Sequence, residues 1–309
     1  MIRFLPEDQT DPGSGKGKIM WTSLLRALPL GLIFAVLSMG EYITVEIMDS
    51  PDLTVDGSFA SGGCVCAVMT IAGMPNLGLV AAFFMGVICG CVTAFLQTKM
   101  KIQPLLAGIL TMTGLYSVNL RIMGGAPNLS LFAGGMQSST ILSNASTRLW
   151  VLLAIMLVIA GLLYLFFRTN LGLMLRACGD NENMVKNSSI NVDNMRFLGL
   201  GLSNGLVALS GALLVQFQNF ADVTGGNGML VLGLAGIIIG EAIFHKKTIG
   251  FGLLASITGA VLYRILYTLA LQFGFAATDM NLVSAVLVAV TISIPVLQKK
   301  AMKRRKNHA

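Results

Sequence analysis

Nine apolar stretches, each of a length to cross a bilayer, constrain this chain more than any other feature of its sequence. A helix needs about 20 predominantly apolar residues to traverse the hydrocarbon core. Such runs are read over 27–48, 53–72, 78–98, 104–123, 149–167, 196–217, 228–244, 249–270 and 281–297. The remaining polar residues could not cover a soluble core of this size. Only 11% of the 309 residues are charged, against 55% hydrophobic, where a soluble domain carries about 25% charged. The mean hydropathy of +0.78 agrees, and the 35 glycines suit helices that pack backbone to backbone in lipid. The expected fold class is an all-α polytopic membrane protein of about nine transmembrane helices, and a pair of soluble domains is excluded.

The placement of charge sets the orientation. Lys99 and Lys101 follow the third run; Arg168, Arg176, Lys186 and Arg196 bracket the loop between the fifth and sixth; Lys246 and Lys247 follow the seventh. Lys299, Lys300, Lys303, Arg304, Arg305 and Lys306 crowd the end. If the spans alternate, all four groups share one side, which the positive-inside rule makes the cytoplasm. Segment 124–147 holds no Lys or Arg and falls on the other side. An odd number of spans then puts the N-terminus outside, although Arg3, Lys16, Lys18 and Arg26 outnumber Glu7, Asp8 and Asp11 there. Those acids also make a poor signal-peptide n-region. Residues 1–26 are read as a polar or interfacial segment, 27–298 as the transmembrane unit and 299–309 as a basic cytoplasmic tail. The first four spans as a set begin outside and the last four inside, the topology of an inverted repeat.

Polar residues within the runs mark candidate sites, because lipid penalises them unless they face the bundle interior or one another. Glu41, Glu46, Arg121, Asn204, Glu241 and Arg264 are such residues. For the ionisable ones, structural pairing and a place on a solute path both stand open. Pro51-Asp52-Leu53-Thr54-Val55-Asp56-Gly57 cannot continue a lipid-facing helix. Its plain reading is a cytoplasmic-side turn in which Asp52 caps the next helix; the alternative gives Asp52 and Asp56 a role in the path. The pairs Cys64/Cys66 and Cys89/Cys91 point about 200° apart on a helix, so packing cysteines rather than a metal site are expected.

The polar island 169–193 reads TNLGLMLRACGDNENMVKNSSINVD. Gly179 is expected to break the incoming helix and Asp180 or Asn181 to cap a new short one. Glu182 and Asn183 would fill its acid-favouring first turn, with Leu175 and Met184 as apolar anchors. A solvated linker is the ordinary reading of such a loop. Its length and capping pattern point instead to a knob that another protein grips.

The pattern T-x-x-G-x-x-L-R-A-C-G-D-N-E-x-x-x-K-x-x-x-I-N-V resembles the coupling-helix signature of ABC importer permeases, in the superfamily of branched-chain amino acid and ribose permeases. It runs over Thr169, Gly172, Leu175, Arg176, Ala177, Gly179, Asp180, Asn181, Glu182, Ile190 and Asn191. PDLTVDGSF (51–59) and GILTMTGLYSVNLRIMG (108–124) are similar to the tryptophan/tyrosine-type permeases of that superfamily. The resemblance extends from about Leu28 to Leu297. It implies an inverted-repeat bundle of the vitamin B12-importer (type II) kind in a bacterial cytoplasmic membrane. It further implies a homodimer, two ABC ATPase subunits docked at Arg176 and Gly179, Asp180, Asn181, Glu182, Asn183 and Met184, and an extracytoplasmic substrate-binding protein. ATP and Mg would belong to the ATPase; no cofactor, metal or nucleic acid is expected on this chain, and no catalytic residue. The lack of a G-x-x-x-x-G-K-[ST] phosphate loop agrees. Aromatic amino acids fit as the small-molecule substrate, as would nucleosides. The competing reading is an ion-coupled secondary transporter with the same inverted topology. A membrane transferase is disfavoured because His245 and His308 are the only histidines, each beside a lysine or asparagine in a basic stretch.

Overall fold

The computed structural model describes residues 14–132, 140–142, 147–187, 190–244, 248–272 and Leu282, Ala285, Val286 and Ala289, without the side chains of 14–26. Helix α1 (Ser14–Tyr42) continues through a π-helical turn, Ile43–Ile47. It is followed by α2 (Thr54–Ile71), α3 (Pro75–Thr98), α4 (Pro104–Ile122) and a short strand β1 (Asn128–Ser130). Then come α5 (Arg148–Arg168), α6 (Asn170–Asp180), α7 (Glu182–Lys186) and α8 (Val192–Gln218). Strand β2 (Phe220–Asp222), α9 (Met229–Ile243) and α10 (Ile249–Gln272) complete the described elements. Among the described residues, seven helices are long and apolar enough to cross a membrane, and α9 is a shorter apolar one.

The boundaries follow local chemistry. Pro75 and Pro104 stand at the first helical positions of α3 and α4, where a missing N–H costs nothing and the fixed φ is already helical. Asn219 ends α8 in the left-handed conformation and returns its N–H to the Val215 carbonyl. The first helix begins at Ser14, inside the segment read as polar and interfacial. The ninth run and the basic tail lie outside the described residues apart from the four named above, as do Lys246 and Lys247.

Helix α8 is the hub, with α1, α2 and α3 packed around it. Gly62 allows one of the closest of these approaches: a Cβ there would run into the Ala208 carbonyl. Contact this close suits lipid, where helices associate through dispersion and hydrogen bonds rather than water-driven burial. Ser203 Oγ donates to the Gly40 carbonyl at 2.7 Å and Ser210 Oγ to the Ile33 carbonyl at 2.8 Å, joining α8 to α1.

The two ends of the bundle differ. Strands β1 and β2 pair antiparallel, Asn128 opposite Asp222 and Ser130 opposite Phe220, so α4 and α8 finish on the same ribbon face. At the other end Lys99 pairs with Asp193 at 3.6 Å, tying the end of α3 to the start of α8, and α6 and α7 lie there too. Arg168, Arg176, Lys186 and Arg196 belong to this knob face, so the basic residues of the first two loop groups share one end.

The run 228–244 does not behave as a full span. With 15 residues, α9 rises about 22 Å, short of a hydrocarbon core of about 30 Å. The chain dips back from β2 so that Gly228 and Leu230 donate backbone N–H groups to Asp56, near the start of α2. The helix therefore begins inside the bundle rather than at its edge, which apolarity alone could not reveal.

Candidate functional site

Two connected features stand out: a polar junction in the middle of the bundle and the knob at one end. The junction forms where α2 begins. Asp52 is fully buried; its Oδ1 accepts from the Thr54 backbone N–H at 2.9 Å, and its Oδ2 accepts from Asn204 Nδ2 at 2.7 Å. Asn204 lies at the middle of the 27-residue α8 and its Oδ1 accepts from Ser58 Oγ at 2.6 Å. Thr54 and Thr93 hydroxyls meet at 2.7 Å, and Thr93 donates to Thr111 at 3.0 Å, drawing in α3 and α4. The capping role expected of Asp52 is present; the turn starts at the knob, where Met48, Asp49 and Ser50 line a cavity with Glu182 and Arg196, while Asp52 itself is buried. Residues 48–53 step inward from the end of α1, and the Asp52 carboxylate is met by Asn204 of α8.

Asp56, two residues into α2, caps α9 at 3.0 Å and 2.9 Å through the Gly228 and Leu230 N–H groups. Glu41 is fully buried against Gly233 of α9, and neither carboxylate oxygen has a hydrogen-bond partner among the described residues. The junction thus gathers Glu41, Asp52, Asp56 and Asn204 from three helices and the turn that leads into one of them. The other intramembrane candidates lie elsewhere. Arg121 is exposed on the last turn of α4. The Arg264 guanidinium lies 4.8 Å from the Tyr267 ring centroid and 5.5 Å from that of Phe34. Glu241 is half-buried on the last turn of α9. Glu41, Arg121 and Arg264 form no ion pair with one another among the described residues.

The knob departs in detail from its expected plan. Helix α6 starts at Thr169, whose Oγ1 accepts from the Gly172 N–H, and runs through Gly179 to Asp180 without a break. The break falls at Asn181, which caps α7 by accepting from the Met184 N–H at 3.1 Å. Asn181 is therefore the cap and Asp180 is not. Gly179 serves packing instead. A Cβ there would strike the Ile47 carbonyl, so this glycine lets α6 rest directly on the π-helical end of α1. Leu175, expected as an anchor for a partner, is fully buried beneath α6, whereas Met184 is 59% exposed. Asp180, Asn181 and Asn183 are exposed.

Glu182 ties the knob to α8. It meets Lys186 at 2.9 Å and Arg196 at 2.9 Å. The hydrogen bond from Lys186, helped by the Arg196 charge, holds its carboxyl below the usual glutamate range against the opposing effect of partial burial. Arg176 lines a cavity of about 200 Å³ with Tyr42, Glu46, Ile47, Asp180, Thr248 and Ile249. The knob therefore packs on the ends of α1 and α8 and shares a cavity with the start of α10. Ile47, on which Gly179 of α6 rests, stands five residues before Asp52.

One group of residues was missed from sequence. Thr113, Tyr116 and Ser117 are exposed on α4, and Asn119 beside them is buried. Their i, i+3 and i+4 spacing within 104–123 was the available signal. All five cysteines are free thiols, with Cys64, Cys66 and Cys89 buried, as packing residues would be.

Residues 23–293 match the family described as Branched-chain amino acid transport system / permease component. The tyrosine transport system permease protein of Clostridioides difficile (strain R20291) is 38% identical over 271 residues, covering 86% of this chain and 89% of that protein. The ribose import permease protein RbsC of Escherichia coli (strain K12) is 27% identical over 229 residues, 71% of this chain and 68% of that one. A solved structure described as a putative metal-chelate type ABC transporter, in an inward-facing conformation, has a TM-score of 0.53 over 95% of this chain and 91% of that chain. At 15% identity this is a likeness of fold alone.

Proposed function

Because the chain belongs to the branched-chain amino acid transport system permease family, we propose that it is the membrane subunit of an ATP-binding-cassette importer, carrying a small solute along a path built by two copies. The knob face is cytoplasmic by the bias of its Lys and Arg residues, which places the C-terminus inside. Two ATPase subunits dock there on α6 and α7, and they hold the ATP and Mg. An extracytoplasmic binding protein delivers substrate to the ribbon face. Aromatic amino acids head the candidate substrates, in keeping with the name of the 38% identical relative. The arrangement is of the type II kind, with the ninth run as a last span.

The observation that carries this reading is the contact of Gly179 with Ile47. A docking element packed on the end of a membrane helix, five residues from a buried polar junction, is the connection an external motor needs. The test is reconstitution in liposomes with the candidate ATPase and binding protein. Uptake should require both proteins and ATP. Uptake by the chain alone under an ion gradient would replace this reading with the ion-coupled one.

A further inference from the structure

The ribbon-side half of α4 does not look like a lipid-facing helix. Nearer the knob face it exposes Leu105, Leu106, Ile109 and Leu110, as lipid requires. In its second half it exposes Thr113, Tyr116 and Ser117 along with Val118. For contrast, α5 exposes Leu157, Val158, Leu162 and Leu165 in its middle turns. Polar side chains at membrane depth face protein or a water-filled cavity, and here the cavity is present. About 260 Å³ opens between α2, α4 and the loop that leads into α9, lined by Asp56, Thr113, Tyr116, Asn119, Thr224 and Asn227 among others.

The chemistry of this cavity is one-sided. No lysine or arginine is among its lining residues. Asn119 is 1% exposed, and its amide oxygen has no hydrogen-bond partner among the described residues. Leaving a buried acceptor unmatched costs about 1–3 kcal/mol, so the position favours an occupant that donates. The Asp56 carboxylate accepts one backbone N–H at each oxygen, which leaves lone pairs on both. A negative charge and an empty amide acceptor lining one cavity suit an ammonium group, whose three N–H donors form charge-assisted hydrogen bonds. The Tyr116 ring supplies an apolar wall for the rest of the molecule.

We propose that this cavity is a transit site for the ammonium group of a small amine or amino acid, held by Asp56 and Asn119 as the solute enters from the ribbon face. The inference rests on the importer reading and names the substrate class for it. The experiment uses the full chain in liposomes, with Thr113→Cys introduced beside Cys91→Ser and Cys178→Ser. The labelling rate with a membrane-impermeant maleimide is read with and without millimolar probe. Phenethylamine and L-phenylalanine should each slow labelling about tenfold, the equivalent of about 1.4 kcal/mol. The desamino acid 3-phenylpropanoate should leave the rate unchanged. Asn119→Leu should remove the protection; Asn119→Asp, which keeps an acceptor and adds charge, should strengthen it. The second variant decides the matter if the first fails to insert. Equal protection by the desamino acid, protection surviving Asn119→Leu, or no protection by any probe would overturn the site. ATPase docking at α6 and α7, on the opposite face, is measured in the same liposomes. Its loss in the parent chain counts against the importer reading and not against the cavity.

Discussion

Asn204 donates to Asp52 and accepts from Ser58, so truncating it leaves two buried polar groups without their partner. Each such group costs about 1–3 kcal/mol. Asn204→Ala should therefore lower the thermal unfolding midpoint in detergent, and a double-mutant cycle with Asp52→Ala should show coupling of about 0.5–3 kcal/mol. Additive losses would mean that the junction is not a unit. Gly179 makes a different demand. Gly179→Ala places a methyl group against the Ile47 carbonyl, and relieving such an overlap costs about 1–3 kcal/mol. The expected outcome is normal insertion and ATPase binding with uptake lost, because α6 no longer seats on α1. Uptake at the parental rate would show that motion passes elsewhere. Of these residues, Asp52 and Gly179 were legible as special from sequence, since an acid between apolar runs and a glycine in a polar island both break a pattern. Their pairings were not legible, because Asn204 and Ile47 are 152 and 132 positions away respectively.

At the scale of elements, α7 is the least supported. Its five residues cannot sustain a helix alone, and it depends on the Asn181 cap and on the Glu182 bridges to Lys186 and Arg196. Asn181→Ala should cost about 1 kcal/mol, visible as faster hydrogen exchange of the α7 amides while α8 is unchanged. The Glu182 contribution has a defined pH dependence. Its carboxyl titrates lower in the folded chain than in an unfolded one, so the stabilisation is complete above the ordinary glutamate value of about 4.3 and disappears as pH falls through the lowered folded value. The stability of α7, read as exchange corrected for the intrinsic rate at each pH, should be flat from neutral pH to about 5 and fall in more acid solution. Glu182→Gln should remove that fall; a variant that keeps it would assign the effect to another group. Helix α9 shows the limit of reading elements from hydropathy. Its 15 residues lie in a run that reads as a span, and only the hydrogen bonds to Asp56 place its start inside the bundle.

For the whole molecule, alternation of the spans and the clustering of Lys and Arg lead to one expectation about sidedness. An impermeant label applied from outside should spare cysteines placed at Lys99 or Asn183 on the knob face and reach one placed at Asn128 on the ribbon face. The reverse pattern would invert the assignment of both faces, and with it the sites of the ATPase and the binding protein. Purified alone, the chain should dimerise and hydrolyse no ATP; turnover by the clean chain would contradict the division of labour proposed for it.

Hydrophobic run length and the bias of basic loops are local properties. By themselves they determined the class of protein, the approximate place of most of the long helices, and the shared end of the loops that carry Lys99 and Arg168 to Arg196. The signature in 169–193 also pointed to the right family, because its residues are contiguous. Only the tertiary structure decided that Asp52 is buried against α8, that Asn181 rather than Asp180 caps α7, and that Leu175 faces inward. It alone brought Asp56 to the start of α9 and opened a polar cavity beside α4. Each of these depends on which helix faces sit against one another. In lipid that choice rests on close packing and interhelical hydrogen bonds, which join residues far apart in the chain and leave no periodic trace in the sequence.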